Sequence, residues 1–431
     1  MNSTRRAVER LKTALIVILL ASAVLLGWRT GLFNDFFSSF NLFGDAAEFI
    51  KGSSGSETGG LIAREATRPL CIVITNADGG HFGVKYDVET RNSIYSRTCG
   101  IFGDALGSAS DFTEISEVEW REVLSGSGVY YEYAEPVKLS LLSAWIQPQI
   151  ANFAWDSVFC RVCVAFGEDK NRIYYQDSDS GLFFGADTAS AAGKTHELEM
   201  FGANNAQYAF ETGIKAAANA PYLLIMPGSD YSDVAAAASG SSEELLATAL
   251  AAFGHNSETY TKPFFDSGGT LVCIGTQFTM SIDAAGGLAY RRSDMQPTAG
   301  AGQRLSESET VEKARALVAE TIGAVAGGAE VFYKSLDYSG DGACNVVFGY
   351  YIAGGQVLLR DDRYAAKITF RHGVVTEAEM NFRSFAIAGG STVLMFEKQT
   401  LAAAGGDFSL TYSDTGSGSG ILKPYWMPRD D

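Results

Sequence analysis

Histidine is scarce in this 431-residue chain: there are four, at His81, His196, His255 and His372, far apart in sequence. None stands near the one Cys-x-x-Cys pair, so no local zinc ligand set is written into the chain. Positive charge is short as well. Five of the 33 Lys and Arg and one of the 50 Asp and Glu precede Thr30, which leaves 28 basic against 49 acidic residues and a formal charge of −21 from there on. Such a surface repels phosphate backbones and anionic lipid, which excludes nucleic-acid binding. Phosphate-cradling loops are missing too, since no G-x-G-x-x-G or G-x-x-x-x-G-K opens a helix. The "GSGSG" near the C-terminus holds Gly418 where a nucleophile elbow needs serine. At 46 % hydrophobic and 12 % aromatic residues, the composition is that of a folded chain and not of an acidic disordered tail.

A long uncharged apolar run is present at the start, from Thr13 to Trp28. As a helix its residues reach roughly 24 Å. Leu11 and the stem of Lys12 on one side, and Arg29 to Phe33 on the other, extend it across about 30 Å of hydrocarbon. Arg5, Arg6, Arg10 and Lys12 precede it against one acid, Glu9, which keeps the N-terminus in the cytoplasm. The rival reading is a cleaved signal peptide, but the small-x-small pair Ala21 and Ala23 lies inside the run, and bulky "GWRTGLFNDFF" follows it. The expectation is a single-pass cell-membrane protein: cytoplasmic tail 1–12, transmembrane helix 13–33 and the bulk of the chain extracytoplasmic. Within the anchor, Ala23 and Gly27 form a small-xxx-small step that admits a second helix, with Leu15, Ile18, Leu19, Ser22 and Leu26 completing the candidate contact set.

Residues 34–66 turn from aromatic-rich to "KGSSGSETGG", a linker composition. The 365 residues that follow are too many for one core. The expected division is 67–195, 196–300 and 305–431, each an α+β domain of antiparallel sheet with packed helices. Folding begins near Arg68 with the strand "RPLCIVITN". Ser116–Glu119, Ser241–Glu244 and Ser306–Glu309 each place Ser three residues before Glu, a capping-box signature. The first opens a short helix ended by Gly126. The second opens a helix with Leu245, Leu246, Leu250 and Phe253 on one face. The third opens one with Val311, Ala314, Leu317, Val318, Thr321 and Ile322 at helical spacing. Strand-rich sequence follows both later helices, with turns at "DAAGG", "SGDG", "AGG" and "RHG". The similar order of 241–295 and 306–400 hints at a duplicated unit.

"CRVC" (Cys160–Cys163) could chelate or act in redox chemistry, but "DSVFCRVCVAF" reads as a strand, where residues three apart point to opposite faces. Small buried thiols are the better account. Cys71, Cys99, Cys273 and Cys344 are scattered; six cysteines outside the cell allow 15 disulfide pairings, and their redox state stays open. "DYSGDGAC" (Asp337–Cys344) imitates half a calcium loop, yet Phe348 occupies the position that needs a bidentate Glu, so it reads as a hairpin turn. "QDSDSG" (Gln176–Gly181) reads as a turn as well. No catalytic residue, cofactor or metal ligand is assigned from these patterns.

Several segments together resemble a known family. They are "VEWREVLSGSGVYYEYAEPVKLSLLSAWI" (Val118–Ile146), "NRIYYQDSDSGLFF", "TYTKPFFDSGGTLVCIGTQFTMSIDAAGGLAYRR", "VFGYYIAGGQVLL" with "AAKITFRHGVVTEAEMNFRSF", and a closing "LTYSDTGSGSGILKPYWMP" with Tyr412, Asp414 and Leu422 to Trp426. With the basic N-terminus and single apolar helix, the order resembles the YycH/YycI-type regulatory proteins of the two-component system that controls cell-wall metabolism in Gram-positive bacteria. The resemblance implies an extracytoplasmic α+β protein that touches a sensor histidine kinase, partly through the transmembrane helix, beside a second related regulator. It carries no catalytic residues over. Two alternatives differ in class. One is an anchored ligand-binding module for a wall fragment, peptide or cation, with aromatics such as Tyr174, Tyr175 or Phe183 lining a cleft. The other is an anchored hydrolase, which needs a close Ser–His or carboxylate–His cluster in a cleft.

Overall fold

The computed structural model describes residues 67–429, apart from 147–156, 192–197, 199, 257–259, 294–304, 340–341 and 417. These belong to one compact unit, Glu57–Asp431. The predicted tail, anchor and linker, residues 1–66, lie outside the described residues, as do His196 and Asp341.

The chain begins with β1 (Cys71–Thr75) and β2 (His81–Val84), then α1 (Val88–Ser108), β3 (Thr113–Ile115), α2 (Glu117–Ser125) and β4 (Gly128–Lys138). Next come α3 (Leu139–Ile146), β5 (Val158–Ala165), β6 (Lys170–Asp177) and β7 (Phe183–Ala191). The seven strands form one antiparallel sheet in the order β2-β1-β4-β5-β6-β7-β3. Alternate residues feed two separate cores, as the pleat requires. Ile72, Ile74, Tyr131, Val162 and Ile173 pack toward Ile94, Phe102 and Leu106 of α1 and Leu139 and Leu142 of α3. Their neighbours Cys71, Val73, Tyr130, Cys163 and Tyr174 face Trp120 and Leu124 of α2, together with Tyr208, Tyr222 and Leu224. Those last residues lie on and beside a two-strand ladder, β8 (Gln207–Tyr208) and β9 (Leu224–Ile225).

After β10 (Asp230–Ala238) and α4 (Glu243–Ala252) the chain builds the larger sheet. Its first strands are β11 (Phe264–Phe265), β12 (Leu271–Ile274), β13 (Phe278–Ile282) and β14 (Gly287–Arg292). Beyond α5 (Glu307–Thr321) come β15 (Glu330–Tyr338), β16 (Cys344–Ile352), β17 (Gly355–Leu359), β18 (Ala366–Arg371), β19 (Val374–Asn381) and β20 (Arg383–Val393). The chain closes with α6 (Glu397–Ala404), β21 (Phe408–Asp414), β22 (Gly420–Leu422) and β23 (Tyr425–Pro428). Eleven of these strands form one sheet, β11-β12-β13-β14-β19-β18-β16-β17-β21-β23 with β15 on β16; β17 and β21 run parallel and its other pairs are antiparallel. Strands β20, β10 and β22 form a small third sheet. The pairings β14–β19 and β10–β20 join the 196–300 and 305–431 segments, and with them the two runs of similar order.

The expected turns are in place: Asp283 and Gly287 close β13–β14, Ser339 and Ala343 β15–β16, Ala353 and Gly354 β16–β17, and His372 and Gly373 β18–β19. Gly354 has φ +72°, and a Cβ there would stand 2.3 Å from the Lys85 carbonyl, so this turn abuts the chain just after β2. Three helices escaped the sequence reading: α1, α3 and α6. The 21 residues of α1 include five Ser or Thr, three Gly and a Cys, and its mean hydropathy is close to neutral, so no clear apolar stripe marks it. One cap needs correcting. Ser242, not Ser241, caps α4, its hydroxyl accepting from Leu245 N, and with Leu at the third position no reciprocal box forms. Ser116 caps α2 through Glu119 N, and Ser306 and Glu309 close the full box on α5.

Candidate functional site

A cleft of about 300 Å³ opens where the second core of the seven-stranded sheet meets the residues before β9 and the start of β21. Glu117 heads α2, which Ser116 caps; an acid in this first turn also faces the positive helix end. Its Oε1 accepts from the Tyr222 hydroxyl at 2.9 Å and from Arg121 Nη2 at 2.6 Å. The Tyr222 bond, then the Arg121 bond, hold the Glu117 carboxyl below its ordinary range. Tyr222 is thereby fixed as one wall. Phe183, from the first position of β7, is the next, its ring 5.6 Å from Tyr222 and stacked 5.5 Å from Trp120 behind it.

Across from these rings lie Arg161 of β5 and Asp407, which precedes β21. Arg161 Nη1 donates to Gln176 Oε1 at 3.2 Å, Nη2 stands 3.5 Å from Glu132 and 4.0 Å from Asp407, and the buried Nε has no hydrogen-bond partner. Burial alone would ease its proton off, but Glu132, and after it Tyr130, hold the guanidinium protonated more firmly than usual. The cleft is therefore preformed, part aromatic and part charged. Of the aromatics expected to line a cleft, Phe183 does; Tyr174 and Tyr175 are packed on opposite faces of the sheet.

A second constellation centres on Glu397, the first residue of α6 and fully buried. The Tyr86 hydroxyl donates to its Oε1, Met226 N donates to Oε2 at 2.8 Å, and Tyr231 also faces it. Burial raises its pKa against the opposing pull of Lys85, then of the Tyr86 bond. One carboxyl thus ties the chain after β2, the strand end at Met226, β10 and α6 together. Beside it a groove of about 540 Å³ is lined by Ile225, Met226, Pro227, Phe396 and the amides of Asn205 and Gln207.

His81 bridges Thr75 Oγ1 (2.9 Å from Nδ1) and Glu211 Oε1 (3.0 Å from Nε2). The order hydroxyl, imidazole, carboxylate matches a hydrolase triad in type. Yet Thr75 and His81 are buried, neither lines either cleft, and Thr75 also bonds the Leu124 carbonyl, so the trio clips the β1–β2 hairpin to α2 and the 209–211 turn. His255 stacks on Phe278 at 3.7 Å, and His372 occupies a turn with φ +49°. Cys71, Cys160, Cys163, Cys273 and Cys344 are free thiols, and the Cys99 thiol donates to the Ser96 carbonyl at 3.6 Å. Cys163 is buried in the second core, and burial pushes its pKa up to about 12. Cys160 is half-buried on the same strand. Asp337–Cys344 spans the β15–β16 hairpin, and Gln176–Gly181 turns between β6 and β7. Among the described residues, no group of three or more His, Cys, Asp or Glu is arranged to hold a metal ion.

Leu15, Ile18, Leu19, Ser22, Ala23, Leu26 and Gly27, with the basic flank Arg5, Arg6, Arg10 and Lys12, lie outside the described residues. Among the described residues no helix is long and apolar enough to cross a membrane. The cleft and the Glu397 cluster were not found from sequence, because they join residues far apart in the chain: Glu117 and Tyr222 are 105 positions apart, Tyr86 and Glu397 311. No protein-family model and no curated protein sequence matches the chain. Among solved structures, YycH from Bacillus subtilis matches with a TM-score of 0.53 and 13 % sequence identity, over 84 % of this chain and 93 % of that one. The chain has a YycH-type fold.

Proposed function

We propose that this protein is a membrane-anchored, extracytoplasmic regulator of a two-component sensor histidine kinase that acts by contact and not by catalysis. The observation that carries the reading is the YycH-type fold, shared over 84 % of this chain and 93 % of the other, in line with the resemblance of the sequence segments to that regulatory family. The basic flank and apolar run at the start supply the anchor, and the acidic body is the extracytoplasmic part. The transmembrane helix and the outer domains bind the kinase, beside a second regulator of related fold.

Such a regulator works only if it binds one kinase state more tightly than the other. A tenfold preference, about 1.4 kcal/mol, shifts an evenly balanced kinase to roughly nine parts in ten of the preferred state. Replacing Thr13–Trp28 with an unrelated apolar helix of equal length tests the anchor contact. The expected result is loss of kinase co-purification and a changed autophosphorylation level with the outer domains still folded. Unchanged co-purification and unchanged kinase output would sink the reading.

A further inference from the structure

The groove beside Glu397 is built from residues 205–207, the end of β9 with the two residues after it, and the start of α6. Ile225, Met226 and Pro227 make part of its lining apolar. Met226 is held in place there, because its N–H donates to the buried Glu397 carboxyl. Phe396 also lines the groove, although 49 % of it is exposed. Its neighbours Met395 and Val393 are 52 % and 74 % exposed. Three large apolar side chains so open within one short stretch, beside a groove, mark a contact surface. The polar part of the lining is carboxamide. Asn205 and Gln399 are exposed, and Gln207 accepts at Oε1 from Lys398 Nζ at 2.6 Å, which leaves its NH2 to donate. An extended peptide sends C=O and N–H groups to both of its sides, so amides from the 205–207 segment and from α6 can each bond one. A hydrocarbon chain would leave them without a partner.

Charge narrows the occupant further. In a molecule of formal charge −17 this lining holds no carboxylate, and Lys398 is its one charged residue. Two of the ammonium protons remain after the Gln207 bond, and they favour a carboxylate over a cation. A volume of about 540 Å³, at roughly 30 Å³ per water-sized group, admits on the order of twenty non-hydrogen atoms, about two residues of peptide. We propose that this groove binds an extended peptide segment of a partner protein. One apolar side chain packs on Met226 and Phe396, the backbone bonds the carboxamides of Asn205, Gln207 and Gln399, and an adjacent acidic side chain meets Lys398. The proposal does not rest on the kinase reading, and either can fail while the other stands.

The full-length chain is titrated by saturation-transfer NMR and calorimetry with N-acetyl-Leu-Glu-amide, with N-acetyl-Leu-Lys-amide and with decanoate, and its mass is followed by sedimentation. The glutamate peptide is expected to bind about fivefold more tightly than the lysine peptide, and Lys398→Gln is expected to erase that preference. Phe396→Ser should weaken both peptides about tenfold. Phe396 is the N-cap of α6 and makes no side-chain cap bond, so serine there favours the helix. Circular dichroism and the thermal midpoint check that each variant is folded, and either folded variant alone suffices. Four results would each overturn the proposal: no binding of either peptide, tighter binding of decanoate, a charge preference that survives in folded Lys398→Gln, or full affinity in folded Phe396→Ser. A dimer that dissociates in Phe396→Ser would give the groove to a second copy and overturn it as well.

Discussion

The two large sheets are covered in opposite ways. In the seven-stranded sheet both faces are dry: all five residues of β1 are buried, as are the first six of β4. In the eleven-stranded sheet one face packs under α4 and α5, and at β13, β14, β18 and β19 the other meets water, so these strands alternate buried with open positions, whereas β16 in the middle is buried on both faces. A strand buried on both sides reads as an unbroken apolar run, and a strand wet on one side reads as alternation. The difference bears on function. The second cover of the small sheet is assembled from α2 and the 206–224 segment, and the cleft lies at its margin. The large sheet gives its free face to charge instead, with Arg291, Glu377 and Glu379 exposed.

The harshest test of this contrast is Trp120→Ala. Trp120 is fully buried in the second core and stacks on Phe183. Its loss should cost about 3–5 kcal/mol in urea unfolding. The exposed Thr279→Ala on β13 should change stability by less than about 0.5 kcal/mol. A Trp120→Ala cost below about 1 kcal/mol would mean that the second face is no core. Glu330→Ala should cost nearly as much, about 3–5 kcal/mol, because it strands Arg91. That guanidinium of α1 is fully buried and donates to both Glu330 oxygens at the start of β15, so the pair ties the two sheets together. Pairing it with Arg91→Met should recover most of the loss, because the buried charge leaves with its partner.

What was legible in the sequence follows from the same contrast. The hairpins of the large sheet were read correctly, because alternation and turn glycines are local signals: "GGLAY" and "RHGVV" carry both. Strand β1 was read from its apolar run. Helix α1 has no clear apolar stripe in sequence, because its large buried side chains (Ile94, Tyr95, Ile101, Phe102, Leu106) are interleaved with Ser, Thr, Gly and charged residues. Pairing between distant strands, such as β14 with β19, has no local signature at all. Of the cleft only Phe183, one of three aromatics expected in such a place, is legible; Arg161, Asp407 and Tyr222 become neighbours only through the fold.

The Glu397 junction sharpens the comparison by pH. Its native pKa is raised, chiefly by burial, so between the ordinary carboxylate value and the native value the folded state holds a proton that the unfolded chain has released. The stability contribution is complete below the ordinary carboxylate pKa and is lost as pH rises through the native one. Glu397→Gln should flatten that part of the stability profile measured by thermal unfolding; an unchanged slope would remove Glu397 as its source. A smaller effect belongs to the α4 cap over the large sheet. Ser242→Ala should cost about 1 kcal/mol and Ser241→Ala only a few tenths, since the Ser242 hydroxyl bonds Leu245 N.

The smallest effect is expected on the free face of the large sheet. Arg291 and Glu377 are directly opposite across β14 and β19, 3.8 Å apart, with 77 % and 50 % of their side chains exposed. Water screens such a pair, and ordering two long side chains offsets most of the attraction. A double-mutant cycle with Arg291→Ala and Glu377→Ala should give a coupling of no more than about 0.5 kcal/mol. At about 1 M salt, where charges are screened within roughly 3 Å, it should fall to nothing. The cross-strand backbone bonds and the inward Tyr290–Ala378 pairing should survive both substitutions, so the unfolding slope against urea should not change. A coupling above about 1.5 kcal/mol, or a slope that drops in the double variant, would show that this face holds the sheet together after all. The two sheets would then differ in what covers them but not in what stabilises them.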